Sequence, residues 1–505
     1  MKTEKWPVTI SVVLLLAVAG LCRVALADDK IFEIDELPGG SRVVTAHFAD
    51  FNGDSRKDLM LATLKGVPPA ETRTINVHFQ RPDGTFPDVA SRTVPIPPWS
   101  AVYDVADLKD TPGEELLLLR PDSITILSLA NDSVARWDLP VDGPSTVAAS
   151  DDERGFDRYP MVYREFDAAP WILVPQVGAL SALKADGSLV ARIDTGRRAN
   201  YFIARDSSLL SVESDIQLFL DVPKLNVGDV NGDGLADIVA TTRHEIRVFL
   251  REDLGGFKRQ PTYTIPIELV SGRDHMRGSG SVVTTVKDIN GDDRLDLMIT
   301  HVEGTFSDTV STTTIHLNRG DRWNIAEPDD RFVSKGSLSS DLLVHVDQDD
   351  AFELLRIQLK FSVFEIVELL LTRKVDVRME IHRLQDNGRF NTKPWSSRKI
   401  STAISFDTFR PKGFMPAGEI DLNADGLMDF VMSAGGKGIE VYLGGDKGPF
   451  DKRTALQKLS TAGVIRFSDF DADGLTDFVL YDPQSFDAPL RIGRNLGVLP
   501  GSPVN

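Results

Sequence analysis

The chain of 505 residues holds one cysteine, Cys22. That excludes a disulfide framework. Positive charge is in deficit: 56 Lys and Arg against 75 Asp and Glu leave a net charge of −19. Nucleic acid is thereby excluded as a partner, since phosphate binding needs clustered cations, while cations themselves are admitted. No H-E-x-x-H zinc motif, G-x-S-x-G nucleophile turn or glycine-rich phosphate loop occurs. The eight histidines (His47, His78, His244, His275, His301, His316, His345 and His382) are scattered without metal-ligand spacing. Apolar runs are short everywhere beyond the first 27 residues, and the apolar fraction of 42% marks a globular chain.

The N-terminus is the exception. Lys2 and Lys5 precede an apolar stretch from Val8 to Gly20, and Ala25-Leu26-Ala27 forms a small-x-small site. The pattern predicts a signal peptide over 1–27, cleaved before Asp28. The stretch is shorter than the ~20 residues a membrane span needs. Leu21 stands before Cys22 where a lipoprotein signal has a small residue. Loss of Lys2, Glu4, Lys5 and Arg23 takes away a net +2 and leaves about −21, with no cysteine and no transmembrane segment. The expectation is an exported protein, periplasmic or secreted to the cell surface, with one domain over 28–505.

What the chain does have is repetition. "DVNGDGLADIVA" begins at Asp229, and near copies begin at Asp288 ("DINGDDRLDLMI"), Asp421 ("DLNADGLMDFVM") and Asp469 ("DFDADGLTDFVL"). An apolar strand enters each acidic loop and another leaves it. A third strand of alternating polarity follows, often ending in a glycine turn and an aromatic, as in "IRVFLREDLGGF" after Asp229. Another good copy starts at Asp50, and weaker ones at Asp107, Tyr163 and His345. Eight units of about 60 residues, each of several short strands, predict an all-β fold, an eight-bladed β-propeller. Seven blades is the alternative if the eroded unit at Tyr163 is discarded. His78, His316 and His382 recur within third strands and so read as repeat positions.

The last unit stops after its third strand, "LRIGRNL", and an unpaired strand, Lys30–Leu37, precedes the first unit. Joining the two would close the ring and remove two open edges. Residues Leu499–Asn505 are then expected to matter little. In the sixth unit, Val363, Ile366, Val367, Leu370 and Leu371 repeat with helical spacing, so a short inserted helix is expected over Lys360–Val375, between second and third strands.

The acidic loop suits a hard divalent cation. Side chains at positions 1, 3, 5 and 9 and a carbonyl at position 7 supply the all-oxygen shell that Ca²⁺ prefers. Glycines at positions 4 and 6 permit backbone angles that other residues resist. The flanking strands and the acid at position 9 exclude an EF-hand.

The pattern D-x-[DN]-x-D-G-x-x-D before an apolar strand resembles the FG-GAP/VCBS repeats, which build integrin-type propellers and many bacterial exported proteins. The resemblance covers essentially all of residues 30–496 and implies Ca²⁺ in the loops between first and second strands. Carried over residue by residue, it implies five intact sites. They are Asp50, Asn52, Asp54 and Asp58 with the Arg56 carbonyl; Asp229, Asn231, Asp233 and Asp237 with Leu235; Asp288, Asn290, Asp292 and Asp296 with Arg294; Asp421, Asn423, Asp425 and Asp429 with Leu427; and Asp469, Asp471, Asp473 and Asp477 with Leu475. About five structural ions would bring −21 to about −11. In the second unit Lys109 takes position 3 and is expected to replace the ion with its own charge. In the third, Tyr163 and Trp171 replace the end carboxylates, so no ion is expected. In the sixth, His345, Asp347, Asp349 and Glu353 leave the question open.

Function is expected on the face away from the ion loops, through an unknown protein or glycan partner, with the chain acting as a monomeric binding or scaffold module of the cell envelope. Candidate segments are Ser271–Ser281 with Arg273, Asp274, His275 and Arg277; Phe406–Glu419 with Phe409, Arg410, Lys412 and Phe414; and Trp99. The alternative is a carbohydrate-active enzyme such as a polysaccharide lyase, for which a closed pocket with a perturbed Tyr, His or Lys would speak. No catalytic residue and no cofactor other than Ca²⁺ is assigned.

Overall fold

The structure is a computed structural model. It describes residues 29–66, 70–97, 99–130, 133–145, 156–196, 199–205, 214–220, 222–252, 256–269, 280–304, 308–320, 322–360, 372–405 and 410–503. The leader expected over 1–27 lies outside them.

Eight sheets follow one another, antiparallel in their repeated strands, with the first of those strands toward the centre. Blade 1 runs Arg42–Ala49, Asp58–Lys65, Thr72–His78 and Arg92–Pro95. Blades 2 to 7 repeat this order from inner strands at Val102–Ala106, Val162–Tyr163, Lys224–Gly228, Gly280–Lys287, Ser337–Val344 and Ala417–Ile420. The unit at Tyr163 is therefore a blade, and the seven-bladed alternative is set aside. Blade 8 takes Val464–Ser468, Asp477–Tyr481 and Leu490–Asn495 from the end of the chain and Phe32–Leu37 from its beginning. The closing pair is antiparallel and in register from Phe32 opposite Asn495 to Leu37 opposite Leu490.

The second strands carry the burial. Asp58–Lys65 is buried at all but its last residue, and Glu115–Leu119, Trp171–Gln176 and Asp477–Tyr481 are buried throughout. Such strands lie with both faces against other sheets, so they read as continuous apolar runs rather than alternation. The core is divided into eight clusters, and each bridges two neighbouring blades. Phe470, Val479 and Ile492 of the last blade meet Ala46, Leu59 and Phe86 of the first, so the apolar seam has no gap.

Several features depart from the repeat, two of them on the inner side of a blade or between blades. A short strand, Asp157–Arg158, pairs in parallel with the inner strand of blade 2, on the channel side. A hairpin, Ala199–Arg205 with Ser214–Leu220, stands between blades 3 and 4. The helix expected over Lys360–Val375 falls on residues 361–371, outside the described residues. Its flanks are as expected, with the second strand ending at Lys360 and the third starting at Lys374. Among the described residues no helix is long and apolar enough to cross a membrane.

Candidate metal centres

Each acidic loop joins the inner strand of its blade to the second, so the loops gather at one end of the ring. Their backbone is the same in all five intact copies. Positions 4 and 6 take the left-handed region throughout: Gly53 and Ser55, Gly232 and Gly234, Gly291 and Asp293, Ala424 and Gly426, Ala472 and Gly474. An L-residue there costs roughly 1 kcal/mol or more, so Ser55, Asp293, Ala424 and Ala472 hold the shape against their own preference.

Hydrogen bonds fix the carboxylates. Position 1 curls over the loop: Asp50 Oδ1 accepts the Gly53 amide at 2.7 Å, and Oδ2 accepts that of Ser55 at 2.8 Å. Asp229 does the same with Gly232 and Gly234 at 2.6 and 2.7 Å. The position 5 carboxylate accepts the amide of position 7, from Arg56, Leu235, Arg294, Leu427 and Leu475, at 2.8–3.0 Å. Those five residues thus place their amides on the loop acid.

The acid at position 9 has a second duty that its spacing did not announce. Asp58, Asp237, Asp296, Asp429 and Asp477 are wholly buried. One oxygen of each accepts the amide of position 2, at 2.7–3.2 Å. The other accepts the amide of Gln80, Arg251, Asn318, Gly444 or Asn495, just past the third strand or at its end, at 2.6–2.9 Å. Each therefore ties its loop to its own sheet. Burial, with the neighbouring loop acids adding repulsion, lifts these carboxyls to about 7 at Asp58, Asp296, Asp429 and Asp477 and to about 6 at Asp237.

The third-strand amides were missed as site residues. Gln80, Asn318 and Asn495 donate side-chain N–H groups to the position 2 carbonyl of the preceding blade, Phe470, Val230 and Leu422, at 3.0, 2.6 and 2.7 Å. The signal was the amide at the end of "HFQ", "HLN" and "GRN". Backbone bonds add to the link: the amides of Glu114, Leu295, Phe352 and Met428 reach carbonyls of the preceding loop at 2.6–2.9 Å. Lys57 completes the circuit with its Nζ 2.9 Å from the Asp469 carbonyl.

The donor set fits a cation. Two groups of three acids, Asp469 with Asp471 and Asp477, and Asp347 with Asp349 and Glu353, bring carboxylate oxygens within 4.8 Å of one another. Four buried oxygens at positions 1 and 3 have no hydrogen-bond partner: Oδ1 of Asn290, Asn423, Asp469 and Asp471. Buried polar atoms are rarely left so, and these four lie where the metal pattern puts ligands.

The eroded loops are held by protein groups. In blade 3 the Arg251 guanidinium donates to the Phe166 carbonyl and to Asp167 Oδ1 at 2.7 Å, over the Trp171 ring. In blade 2 the expectation for Lys109 is corrected. Its ammonium leaves the loop for the Ala185 carbonyl, 2.6 Å away, and the Trp137 ring. Glu115 braces that loop instead, accepting the amides of Leu108 and Lys109 and the Thr111 hydroxyl. In blade 6 Arg383 pairs with Asp347 at 2.6 Å, and His345 turns to the Ala351 carbonyl.

Of the segments expected on the opposite face, residues 271–279 and 406–409, with Arg273, Asp274, His275, Arg277 and Phe409, lie outside the described residues. Trp99 is 44% exposed, with the Arg120 guanidinium 5.6 Å from its ring. Phe414 is corrected: it is buried between blades 7 and 8. The C-terminal residues are corrected as well. Leu499 packs into that same cluster, and the Pro500 carbonyl accepts Asn423 Nδ2 at 2.7 Å. His78, His316 and His382 each point Nδ1 at a carbonyl 2.7–2.9 Å away, which makes them strand braces.

Fold and loops together define the class: an eight-bladed β-propeller of acidic-loop repeats. The chain carries FG-GAP-like repeats, matched over residues 229–299 and 421–480, which span the acidic loops of blades 4, 5, 7 and 8. No curated protein matches the chain. Among solved structures, it is similar to a chain of the crystal structure of BBS1N in complex with ARL6DN, soaked with lead, at 9% identity and a TM-score of 0.32, over 79% of this chain and 93% of that one. It is also similar to the V. cholerae biofilm matrix protein Bap1, at 11% identity and a TM-score of 0.24, over 92% and 82%. Likenesses this remote carry no argument about function.

Proposed function

We propose that the chain is an exported, calcium-loaded β-propeller that acts as a recognition module of the cell envelope for protein or carbohydrate. The observation that carries the calcium part is the set of partnerless buried oxygens on Asn290, Asn423, Asp469 and Asp471. A buried oxygen without a donor costs about 1–3 kcal/mol, and a divalent cation relieves several at once. The ligands would be the side chains at positions 1, 3, 5 and 9 of the five intact loops, with the carbonyls of Arg56, Leu235, Arg294, Leu427 and Leu475. Bound Ca²⁺ would neutralise charge and pin the loops in a chain without disulfides.

Recognition is favoured over lyase chemistry by the state of a site that joins His47 and Tyr103 to Arg158 and Arg466. His47, at the central channel, is pushed down to about 4 by burial and by Arg158. Tyr103 is pushed up by burial. A base that weak and a phenol that reluctant are poorly matched to proton transfer near neutrality.

Native mass spectrometry with Ca²⁺ tests the metal reading. About five ions per chain are expected; Asp233→Ala or Asp425→Ala should remove about one, and Asp167→Ala none. A folded chain that binds no Ca²⁺ would overturn it.

A further inference from the structure

The short strand Asp157–Arg158 is foreign to the repeat, and it builds something. It lies along the inner strand of blade 2, held by the Asp157 amide on the Ala101 carbonyl and the Tyr159 amide on the Tyr103 carbonyl, at 3.1 and 2.9 Å. Phe156 stacks on Tyr103 beneath it. Between this strand and the inner strands of blades 1, 2 and 8 is a cavity of about 440 Å³. Thr45, His47, Tyr103, Asp157, Arg158 and Arg466 are among the polar residues of its wall. The volume lies in the range of small-molecule sites.

The charges are unevenly committed. Arg158 spends its Nε on the buried Asp104, 3.0 Å away. Arg466 is exposed, and its guanidinium makes no ion pair or hydrogen bond with any described residue. Asp157 is likewise without an ion pair among the described residues. His47 is neutral at ordinary pH, for the reasons given, and so offers one donor and one acceptor. The Thr45 and Tyr103 hydroxyls lie 3.4 Å apart.

From this arrangement we infer that the channel cavity binds a sugar acid, a ring that bears one carboxylate and several hydroxyls. The free guanidinium of Arg466 takes the carboxylate in paired N–H···O bonds. Asp157, His47 and Thr45 take the hydroxyls, since a carboxylate accepts and the other two both donate and accept. A simple anion would leave Asp157 opposed to it, and a neutral sugar would leave Arg466 unused. The inference is independent of the metal reading and concerns the channel rather than either rim.

Isothermal titration of the calcium-saturated full chain tests it, with sodium glucuronate, a glucuronate-terminated oligosaccharide, glucose and acetate as probes. Saturable binding of glucuronate supports a free sugar acid as ligand; binding of the oligosaccharide alone supports the end of a polymer. Glucose and acetate should bind at least tenfold more weakly. Arg466→Ala, a change at an exposed side chain without an ion pair or hydrogen bond among the described residues, should weaken the acidic probe about tenfold or more with the melting temperature unchanged. Binding that survives Arg466→Ala undiminished, equal binding of glucose, or no binding of either acidic probe overturns the proposal.

Discussion

The acid at position 9 shows how one residue serves loop and sheet together. Asp58, Asp296, Asp429 and Asp477 are raised by burial from 3.8 to about 7. A carboxyl raised on folding binds more protons in the folded state than in the unfolded state between those two values. In the calcium-free protein its contribution therefore favours folding at low pH and weakens as pH climbs through the folded value. Ca²⁺ bound as proposed would reverse this, because it would take the ionised form and expel the proton. Two outcomes are expected: in EGTA the melting temperature should fall between pH 5 and pH 7.5, and Ca²⁺ uptake near pH 7 should release protons. Calorimetry in buffers of different ionisation enthalpy reads the second. Uptake that releases no protons would show that these acids are already ionised without the metal.

Residue spacing made the acidic loops legible, because a loop of nine residues is local and its alternation is written in order. The position 9 bonds to Gln80, Asn318 and Asn495 were not legible, since those partners arrive from a strand about 20 residues later. Arg251 in blade 3 illustrates the same limit. Its guanidinium answers to Asp167, 84 residues earlier in the chain. Lys109 was misplaced for a related reason: the carbonyl that draws it out belongs to the next blade.

At the scale of elements, the second strands were read correctly because burial on both faces leaves an unbroken apolar run. Trp171–Gln176 keeps that run although its loop lacks the end acids of the pattern, and so the third unit is a blade. Asp157–Arg158 escaped notice because two residues paired in parallel leave no period to read. The closing strand makes a sharper test of the architecture. Deleting residues 29–37 removes the partner of Leu490–Asn495 and exposes its edge. It also removes Ile31 and Phe32 from the core between blades 7 and 8. The expected result is loss of cooperative unfolding or aggregation on gel filtration. Removing Leu499–Asn505 should cause a milder loss, through Leu499 and the Pro500–Asn423 bond. A truncated chain that melts like the full one would mean that the ring is closed by something else.

For the whole molecule, stability is distributed around a circle. Each apolar cluster belongs to two blades, and several loop carbonyls are held by the next blade along. Ions bound only by the folded state each add RT ln(1 + [L]/Kd) to its stability. Chelation should therefore lower the melting temperature of the entire ring in one transition. Differential scanning calorimetry with and without EGTA checks this. An unchanged melting temperature would remove the structural role assigned to Ca²⁺, and two separate transitions would show that blades unfold independently.

The pairing of Phe32 with Asn495 has a consequence in time. A chain made from its N-terminus produces the closing strand first and its partner last, so Phe32–Leu37 must wait while every intervening blade is synthesised. Bringing such distant segments together carries a loop-closure cost that the earlier, local hairpins do not. Until the last strand emerges, the growing protein is an open arc with one bare edge and one idle strand, and the molecule becomes a ring only when its two ends meet.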